Sequence, residues 1–461
     1  MRASRLCQSL QRLPFSLRRF ARSVALPAPV VLTVLVCLVA APALASDWPQ
    51  WRGPERNGKS PETGLTDRWP EGGPPLVYRA SGLGVGYSSL AVVGDRIFTL
   101  GDLEEGQHVI ALDRATGKRL WTTRIGPRWE DEYGGPRSTP TIDGDRLYAL
   151  GTDSDLVCLK TADGSVVWKR NLQKDFGGRM MAIRGTDWRF AESPLVDGDR
   201  VVVTPGARDA ALVALDKRTG KEIWRAAIPE LGPAGADGAG YSSIVISHGG
   251  GVRQYVQLLG RGAVGVDAKT GKFLWGYNRV ANHVANIATP IIDGDHVFVS
   301  TGYGTGSVLL RLQGDGEGGV RAEEVYWLSA DTLQNHHGGL ILDGGYIYTG
   351  TGHNKGFPIC VEMASGEVVW GPIRNDGQSS AAVTWADGKL FFRYQNGLMV
   401  LVEATPEGYE ERGSFMIPDV QLSWSHPVIA GGKLYLREQD NLYCHDLRAQ
   451  APKAEAKAAA R

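Results

Sequence analysis

Apolar and polar residues alternate in short runs along most of the chain, and turns rich in Gly and Asp separate the runs. The clearest example is residues 214–224, which read Ala-Leu-Asp-Lys-Arg-Thr-Gly-Lys-Glu-Ile-Trp. Two short strands around a Thr-Gly turn explain this pattern, because Gly tolerates the positive φ that a tight turn requires. The Asp before the turn can accept hydrogen bonds from the turn amides. The segment therefore predicts a β-hairpin that ends in a large aromatic residue.

The same pattern returns in seven further segments, so the chain contains eight units. Successive units place their Trp residues about 43 to 56 positions apart, with four alternating strands in each unit. This period is typical of β-propeller blades. The repeat positions are Trp121, Trp168, Trp224, Trp275, Trp327 and Trp370 on the fourth strands, and Gly117, Gly220 and Gly271 in the turns before them. The sequence therefore predicts an all-β, eight-bladed propeller of four-stranded antiparallel blades.

The ends of the repeat region predict how the ring closes. The eighth unit stops after three strands, whereas one spare strand, residues 76–79, precedes the first unit. Pairing the two would close the ring and remove the exposed sheet edges of an open array. We therefore predict a propeller over residues 76–448, closed by an N-terminal strand. Residues 46–75 are predicted to form a strap packed on the propeller, and residues 449–461, rich in Ala and Lys, a disordered tail.

The first 45 residues have the features of an export signal. Basic residues without acidic ones precede an apolar run, 30–41, and Ala43-Leu-Ala45 forms a small-residue cleavage site. We predict cleavage after Ala45 and a periplasmic or secreted protein, with an uncleaved anchor as the alternative. We predict no transmembrane helix after cleavage.

The charge of the chain after cleavage excludes one class of binding partner. Cleavage would remove six Arg residues and no acidic residue, which leaves a mildly acidic chain. Nucleic acid is excluded as a partner because phosphate neutralisation needs a basic face.

Cys158, Cys360 and Cys444 each occupy the position that Ala214 holds in its unit, so we predict three buried free thiols. We expect a monomer.

The two faces of the predicted disc differ in their connections. The Asp-Gly and Thr-Gly turns lie on one face, the short-turn face, and the variable connections and blade crossovers lie on the other, the loop-rich face. Function on a rigid scaffold usually resides in variable loops. The candidate ligand-binding residues on the loop-rich face are Arg137, Arg189, Glu192, His283, Asn286, Tyr303, His336, His337, His353, Asn354 and His426.

Three interpretations of this His-rich rim remain open. In the first, His and Asn side chains satisfy backbone groups around a narrow, wet channel. In the second they hold a metal ion. Adjacent residues of an extended chain point in opposite directions, so only one of His336 and His337 would face the channel, and the co-ligands would be His353 and Glu192. In the third, a small anionic or quinone-like molecule at the channel mouth is surrounded by Arg137, Arg189, His283, His337 and His353.

The units at 111–121, 214–224 and 265–275 share the pattern small residue-Leu/Val-Asp-x-x-Thr-Gly-Lys-x-x-Trp. This pattern resembles the PQQ-like family of eight-bladed propellers, which includes quinoprotein alcohol dehydrogenases and cofactor-free assembly proteins of the BamB type. The resemblance implies, for the dehydrogenases, a calcium ion bound through Glu, Asn and Asp and often a disulfide of adjacent cysteines. Glu192 and Asn286 match by residue type, but the chain has no adjacent cysteine pair and no Cys-x-x-Cys-His haem motif.

These features favour a cofactor-free binding or assembly scaffold that holds a protein partner or a small ligand on its loop-rich face. The alternative is a dehydrogenase for alcohols or sugars that depends on pyrroloquinoline quinone (PQQ) and calcium, with the quinone at the channel mouth.

Overall fold

The computed structural model describes residues 46–182 and 187–448 of the chain. The predicted export signal and the predicted disordered tail lie outside these residues. The regular secondary structure of the described part is β-strand apart from one short helix, α1 (Leu172–Phe176), and a 3-10 turn at Gly249–Gly251. None of its helices is long and apolar enough to cross a membrane.

The strands form eight antiparallel blades of four strands each, as the sequence predicted, and the two-residue strand Lys59–Ser60 adds a parallel fifth strand to the sheet of blade seven. Before the first complete blade come β1 (Lys59–Ser60) and β2 (Leu76–Ala80). Blades one and two contain β3 (Ala91–Val93), β4 (Arg96–Leu103), β5 (Gly106–Asp113), β6 (Arg119–Gly126), β7 (Thr141–Asp143), β8 (Arg146–Leu150), β9 (Asp155–Lys160) and β10 (Val166–Asn171). Blades three and four contain β11 (Leu195–Asp197), β12 (Arg200–Val203), β13 (Leu212–Asp216), β14 (Glu222–Ala226), β15 (Val245–Ser247), β16 (Gln254–Leu259), β17 (Gly262–Asp267) and β18 (Phe273–Tyr277).

The second half of the ring repeats this arrangement. Blades five and six contain β19 (Ile291–Asp293), β20 (His296–Thr301), β21 (Gly306–Gly314), β22 (Val320–Ser329), β23 (Leu340–Asp343), β24 (Tyr346–Thr351), β25 (Phe357–Glu362) and β26 (Val368–Trp370). Blades seven and eight contain β27 (Ala381–Ala386), β28 (Lys389–Tyr394), β29 (Leu398–Glu403), β30 (Glu411–Met416), β31 (Val428–Ala430), β32 (Lys433–Glu438) and β33 (Asn441–Asp446). The first strands of successive blades contact one another around the axis, and the fourth strands lie outermost.

The N-terminal strand closes the ring. Strand β2 pairs antiparallel with β33 and completes blade eight, which otherwise has only three strands. Within this pair Tyr78 lies opposite Cys444. The phenol of Tyr78 donates to the carbonyl of Arg114 in blade one over 2.9 Å. The prediction of closure by an N-terminal strand is therefore confirmed, and Tyr78 takes the place of the aromatic residue that unit eight lacks.

The repeat Trp residues connect neighbouring blades. Trp168 lies opposite the small residue Cys158 in its own blade, and its indole N–H donates to the carbonyl of Lys217 in the next blade over 3.0 Å. Its ring also packs on Gly220, where a Cβ would come within 2.8 Å of the indole. Gly220 has a φ of +68°, so both the turn and the close approach require glycine. The contact joins the fourth strand of blade two to the turn between the third and fourth strands of blade three.

Blade five departs from the predicted repeat. Its register shift places Tyr326, rather than Trp327, at the position that Trp occupies in blades one to four and in blade six. Tyr326 packs near Gly366 of blade six and donates to the carbonyl of Met363 over 2.7 Å. Trp327 instead lies beneath the guanidinium of Arg279, whose Cζ is 4.2 Å from the ring centroid. The long β21–β22 hairpin obscured the register in the sequence.

The segment 48–65, here called the channel segment, crosses the central channel. Its backbone pairs with Val92 of blade one through Trp48, and its strand β1 pairs parallel with β27 of blade seven. Further hydrogen bonds reach the other blades: Pro49 to Ile142, Arg56 to Ser193, Trp51 to Thr289, Arg52 to Leu340 and Ser60 to Ile429. These contacts involve seven of the eight blades. The segment thereby closes the channel on the side of the short-turn face.

Three cysteines in the described residues are free and buried, as the sequence predicted. Cys158 and Cys360 lie opposite Trp168 and Trp370, in the position that Ala214 occupies opposite Trp224. Burial raises the pKa of the Cys158 and Cys360 thiols to about 11, so both stay protonated at neutral pH.

Candidate functional site

A cavity of about 530 Å³ lies at the centre of the ring, between the channel segment and the loop-rich face. Six of the sequence-derived candidates line it: Arg137, Tyr303, His336, His337, Asn354 and His426. They come from the crossovers that open blades two, six and eight and from the middle loops of blades five and six. The cavity is therefore assembled from connections that are far apart in the sequence.

The histidines form a tight cluster at one wall. The ring of His336 lies 4.6 Å from that of His337 and 4.2 Å from that of His353. Nε2 of His336 is 2.9 Å from the phenol of Tyr303, and Nδ1 is 2.6 Å from the hydroxyl of Ser380. Burial, followed by the neighbouring histidines, lowers the pKa of His336 to about 2. This ring is neutral and fully engaged in hydrogen bonds.

Both His336 and His337 line the cavity, so the prediction that only one of them faces the channel is wrong. The prediction assumed an extended strand, but β23 begins at Leu340, and the preceding Gly339 has a φ of +77°. The alternation of a strand does not apply to this loop. Neither ring nitrogen of His337 has a hydrogen-bond partner among the described residues, and burial lowers its pKa to about 3.

Arg137 supplies a positive charge to the cavity. Its guanidinium donates to the carbonyls of Tyr133 (2.6 Å) and Gly135 (3.1 Å) and lies over the rings of Trp129 and Tyr87. It forms no ion pair with a carboxylate among the described residues. Burial lowers its pKa to about 10, so the charge persists at neutral pH.

Five aromatic side chains contribute to the remaining wall: Tyr87, Tyr133, Trp188, Tyr241 and Trp424. Trp424 lies between Tyr87 and Tyr133, with ring centroids 4.5 Å and 5.3 Å away, and its indole N–H donates to Gln395 over 2.7 Å. Trp188 and Tyr241 meet edge to face, with centroids 5.9 Å apart. Rings that pack on one another are held rigidly and present apolar surface to the cavity.

The floor consists of Trp51 and Arg52 from the channel segment, which the sequence analysis did not include among the candidates. The ring of Trp51 lies 4.5 Å from that of His426. Arg52 is 4% exposed and donates to the carbonyls of Asn57 and Leu340, and its Nη1 has no partner among the described residues. The motif Trp-Pro-Gln-Trp-Arg-Gly-Pro was the available signal, because two Trp and an Arg stand there outside any repeat.

Other sequence candidates lie outside the cavity lining. Arg189 pairs with Asp153, with 3.4 Å between Nη1 and Oδ1, and His283 is exposed on the surface. His353 contacts Tyr303 and His336 with its ring but does not line the cavity itself. The structure therefore does not place Arg189, His283 and His353 in one ring with Arg137 and His337.

Glu192 and Asn286 do not fit a calcium site. The Glu192 carboxylate accepts from the amide and hydroxyl of Thr204 and from Gln257. The Asn286 amide donates to the carbonyls of Leu259 and Gly260, and its oxygen accepts from Asn282 N over 2.9 Å. Their oxygens are committed to the protein, whereas calcium needs several free oxygen ligands. In the described part of the chain, no group of three or more His, Cys, Asp or Glu side chains is arranged to hold a metal ion.

The fold and this site define a class of protein: an eight-bladed propeller with one aromatic-lined cavity at its centre, closed on one side by its own N-terminal segment. Residues 105–371, more than half of the chain, match the PQQ-repeat family model described as "Outer membrane protein assembly factor BamB". The chain therefore belongs to this family.

Two curated relatives are similar over part of their length. An uncharacterised protein of Rickettsia conorii is 25% identical over 333 residues, which cover 66% of this chain and 72% of the relative. The outer membrane protein assembly factor BamB of Kangiella koreensis is 26% identical over 237 residues, half of each chain. The chain thus matches only about half the length of this BamB.

Solved structures support the fold. The quinohemoprotein alcohol dehydrogenase ADHIIG from Pseudomonas putida HK5 has a TM-score of 0.58 and 13% identity, over 88% of this chain and 81% of that one. The computationally designed protein Ika8 has a TM-score of 0.56 and 11% identity, over 81% of this chain and 100% of that one. At such low identity both comparisons concern architecture alone.

Proposed function

We propose that this protein is an exported binding or assembly scaffold that holds a protein partner on its loop-rich face. The supporting observation is the construction of the cavity, which has a fixed floor, rigid aromatic walls and an opening among the variable loops. Aromatic residues and Arg are the side chains that dominate binding sites on proteins. A rigid cup of this composition is suited to recognition.

The titration behaviour of the cavity favours binding over catalysis. His337 and His426 have pKa values lowered to about 3 by burial, while the pKa of Tyr303 is raised to about 12. General acid–base catalysis is most efficient when the pKa of the group lies near the working pH. Glu192, with a pKa raised to about 7, does not line the cavity. His337, His426 and Tyr303 are therefore poorly matched to proton transfer at neutral pH.

The family description is consistent with this role. Its model is named for an outer membrane protein assembly factor, and the Kangiella koreensis relative carries the same name. The proposal includes export of this chain and a location in the cell envelope. The predicted export signal supports both.

Site-specific cross-linking would test the partner surface. A photoreactive amino acid at Glu132 or Asn354 on the loop-rich face is expected to give a discrete adduct with an envelope protein in the native host. Matched positions at Lys118 and Arg218 on the short-turn face are expected to give none. All four side chains are exposed, so the probes should not disturb folding. Equal adducts from both faces, or none from the loop-rich face, would contradict the proposal.

The second candidate function is a PQQ-dependent dehydrogenase, favoured by the position of an aromatic, Arg-containing cavity on the propeller axis. If it holds, the quinone supplies the redox chemistry, and Arg137 contributes a charge to its carboxylates. Adding PQQ and calcium should then give a stoichiometric quinone absorbance and alcohol-dependent dye reduction. We expect neither, because Glu192 and Asn286 are committed to internal hydrogen bonds.

A further inference from the structure

We propose that the cavity binds a small aromatic carboxylate without a metal ion, with its carboxylate at the guanidiniums and its flat ring against the aromatic wall. This inference goes beyond the scaffold role, since a ligand site and a protein-binding face can exist independently. It would make the channel segment part of the ligand site.

The charge of the cavity points to an anion. Arg137 and Arg52 both line it, and neither forms an ion pair with a carboxylate among the described residues. Buried charges in proteins are normally paired, because an isolated charge in a poorly solvated site is costly. Arg52 additionally has a buried Nη1 that no group in the described part of the chain contacts by a hydrogen bond. A ligand carboxylate would satisfy these donors, and planar guanidinium groups bind carboxylates well.

The remaining polar groups favour an apolar body over a sugar. Several hydroxyl and amide groups of the lining are already used internally: Thr289 accepts from Trp51, Gln395 accepts from Trp424, and Ser193 accepts from the amide of Thr139. A polyhydroxylated ligand would bury hydroxyls without enough partners, which costs free energy for each group. A flat ring needs only the aromatic surface that the wall offers.

The ring of His337, whose nitrogens have no hydrogen-bond partner within residues 46–182 and 187–448, lies next to Trp424, with centroids 5.4 Å apart. Because its pKa is lowered to about 3, the ring is neutral and can donate through one nitrogen and accept through the other. It can therefore donate to a carboxylate that the guanidiniums hold, without adding a third positive charge.

The probes are 2-naphthoate and its neutral counterpart 2-naphthalenemethanol, titrated into the full-length protein at pH 7 and followed by calorimetry. We expect saturable binding of one naphthoate per chain, at least about tenfold tighter than the alcohol. Arg137→Gln should weaken naphthoate about tenfold and leave the alcohol unchanged. Arg208→Gln, an exposed arginine of the same face that does not line the cavity, should change neither affinity.

A second variant guards against misfolding of Arg137→Gln. Glu132 is exposed at the cavity rim, so Glu132→Gln should fold normally. It should tighten the binding of naphthoate severalfold, because it removes a negative charge that repels the negatively charged ligand. Equal affinity for both probes, no effect of either variant, or no binding at all would overturn the proposal. Tighter binding of glucuronate than of naphthoate would assign a sugar acid instead, and naphthoate binding only with added calcium would overturn the metal-free site.

Discussion

Burial changes the chemistry of Glu192, a side chain that residue type alone marked as a metal ligand. Its carboxylate is 1% exposed, and desolvation raises its pKa to about 7 from an ordinary value of 4.5 despite hydrogen bonds from Thr204 and Gln257. Arg56 of the channel segment lowers this pKa through its charge, without forming a direct ion pair. Between about pH 4.5 and pH 7, the folded protein therefore holds a proton on Glu192 that the unfolded chain releases.

We expect Glu192→Gln to gain stability over the wild type as the pH rises. A carboxyl whose pKa is raised on folding contributes stability below its unfolded pKa and loses it as the pH rises through its folded pKa. The wild type should therefore lose about 3 kcal/mol relative to the Gln variant between pH 4.5 and pH 7. Urea unfolding at several pH values measures this difference. Glu104→Gln, at an exposed position, serves as the control; a difference for Glu192→Gln that does not vary with pH would contradict the shifted pKa.

At the scale of the strand and turn, an aromatic residue on the fourth strand contacts the next blade at several places around the ring. Trp121 donates to the carbonyl of Thr161 over 3.2 Å, and Trp370 donates to that of Thr405 over 2.8 Å. In blade seven this position is Gly413, against which the backbone and Cβ of Trp69, from the segment before the propeller, pack closely. Outside blade seven, the position in the blade rather than the residue type determines which aromatic residue makes this contact.

Substitutions at two glycines of blade three distinguish the free energy lost by displacing the indole from the free energy lost by straining the turn. Gly220 and Gly198 have similar φ values, +68° and +60°, but a Cβ at Gly220 would meet Trp168 at 2.8 Å, whereas nothing lies within 4 Å of one at Gly198. We expect Gly198→Ala to lower the free energy of unfolding by about 1 kcal/mol through backbone strain alone. Gly220→Ala should cost about 1–3 kcal/mol more, because the indole must shift. Urea denaturation of both variants checks this; equal losses would show that the indole moves freely.

The whole molecule depends on two contributions from its N-terminal region. Strand β2 completes blade eight, and the channel segment spans the ring and forms the floor of the cavity. Tyr78 sits at the junction of blades eight and one, where its ring packs on Gly117 and its hydroxyl binds the carbonyl of Arg114. Closure joins the two ends of the chain into one ring, so weakening this junction should weaken the ring as a unit.

Substitutions at Tyr78 test this closure. Tyr78→Phe should lower the free energy of unfolding by about 1 kcal/mol for the lost hydrogen bond. Tyr78→Ala should lower it by about 3 kcal/mol and increase amide exchange along β2 and β33, since the packed ring is lost. Val77→Ala, on the same strand at a position that is 47% exposed, should change the stability by less than about 0.5 kcal/mol. A loss for Tyr78→Ala no larger than for Val77→Ala would mean that closure does not rest on this residue.

The repeat positions were readable from the sequence because they depend on local periodicity. A single hairpin contains Ala214, the turn residue Gly220 and Trp224, which lies opposite Ala214. Their roles in the structure match the repeat pattern seen in the sequence. The shift from Trp327 to Tyr326 was hidden because a register shift inside a long hairpin moves the contact by one residue without changing the composition.

The site was less accessible to sequence reasoning. His336, His337 and His426 were recognised as members of the loop-rich face, but the inference about their directions assumed a strand where the chain forms a Gly-containing loop. Trp51 and Arg52 were missed because the segment that carries them has no periodicity. Its position depends on hydrogen bonds to residues such as Thr289 and Leu340, more than two hundred positions away.

The sequence by itself determined the blade number, the order of strands and the closure of the ring, since each follows from the spacing of turns and apolar strands along the chain. Tertiary structure alone decided that the channel is closed from one side and that Arg52 and Arg137, which form no ion pair among the described residues, line the remaining cavity. These features arise where side chains from distant blades and the N-terminal segment converge on the axis. Convergence of this kind depends on three-dimensional packing and leaves no periodic signal in the order of residues.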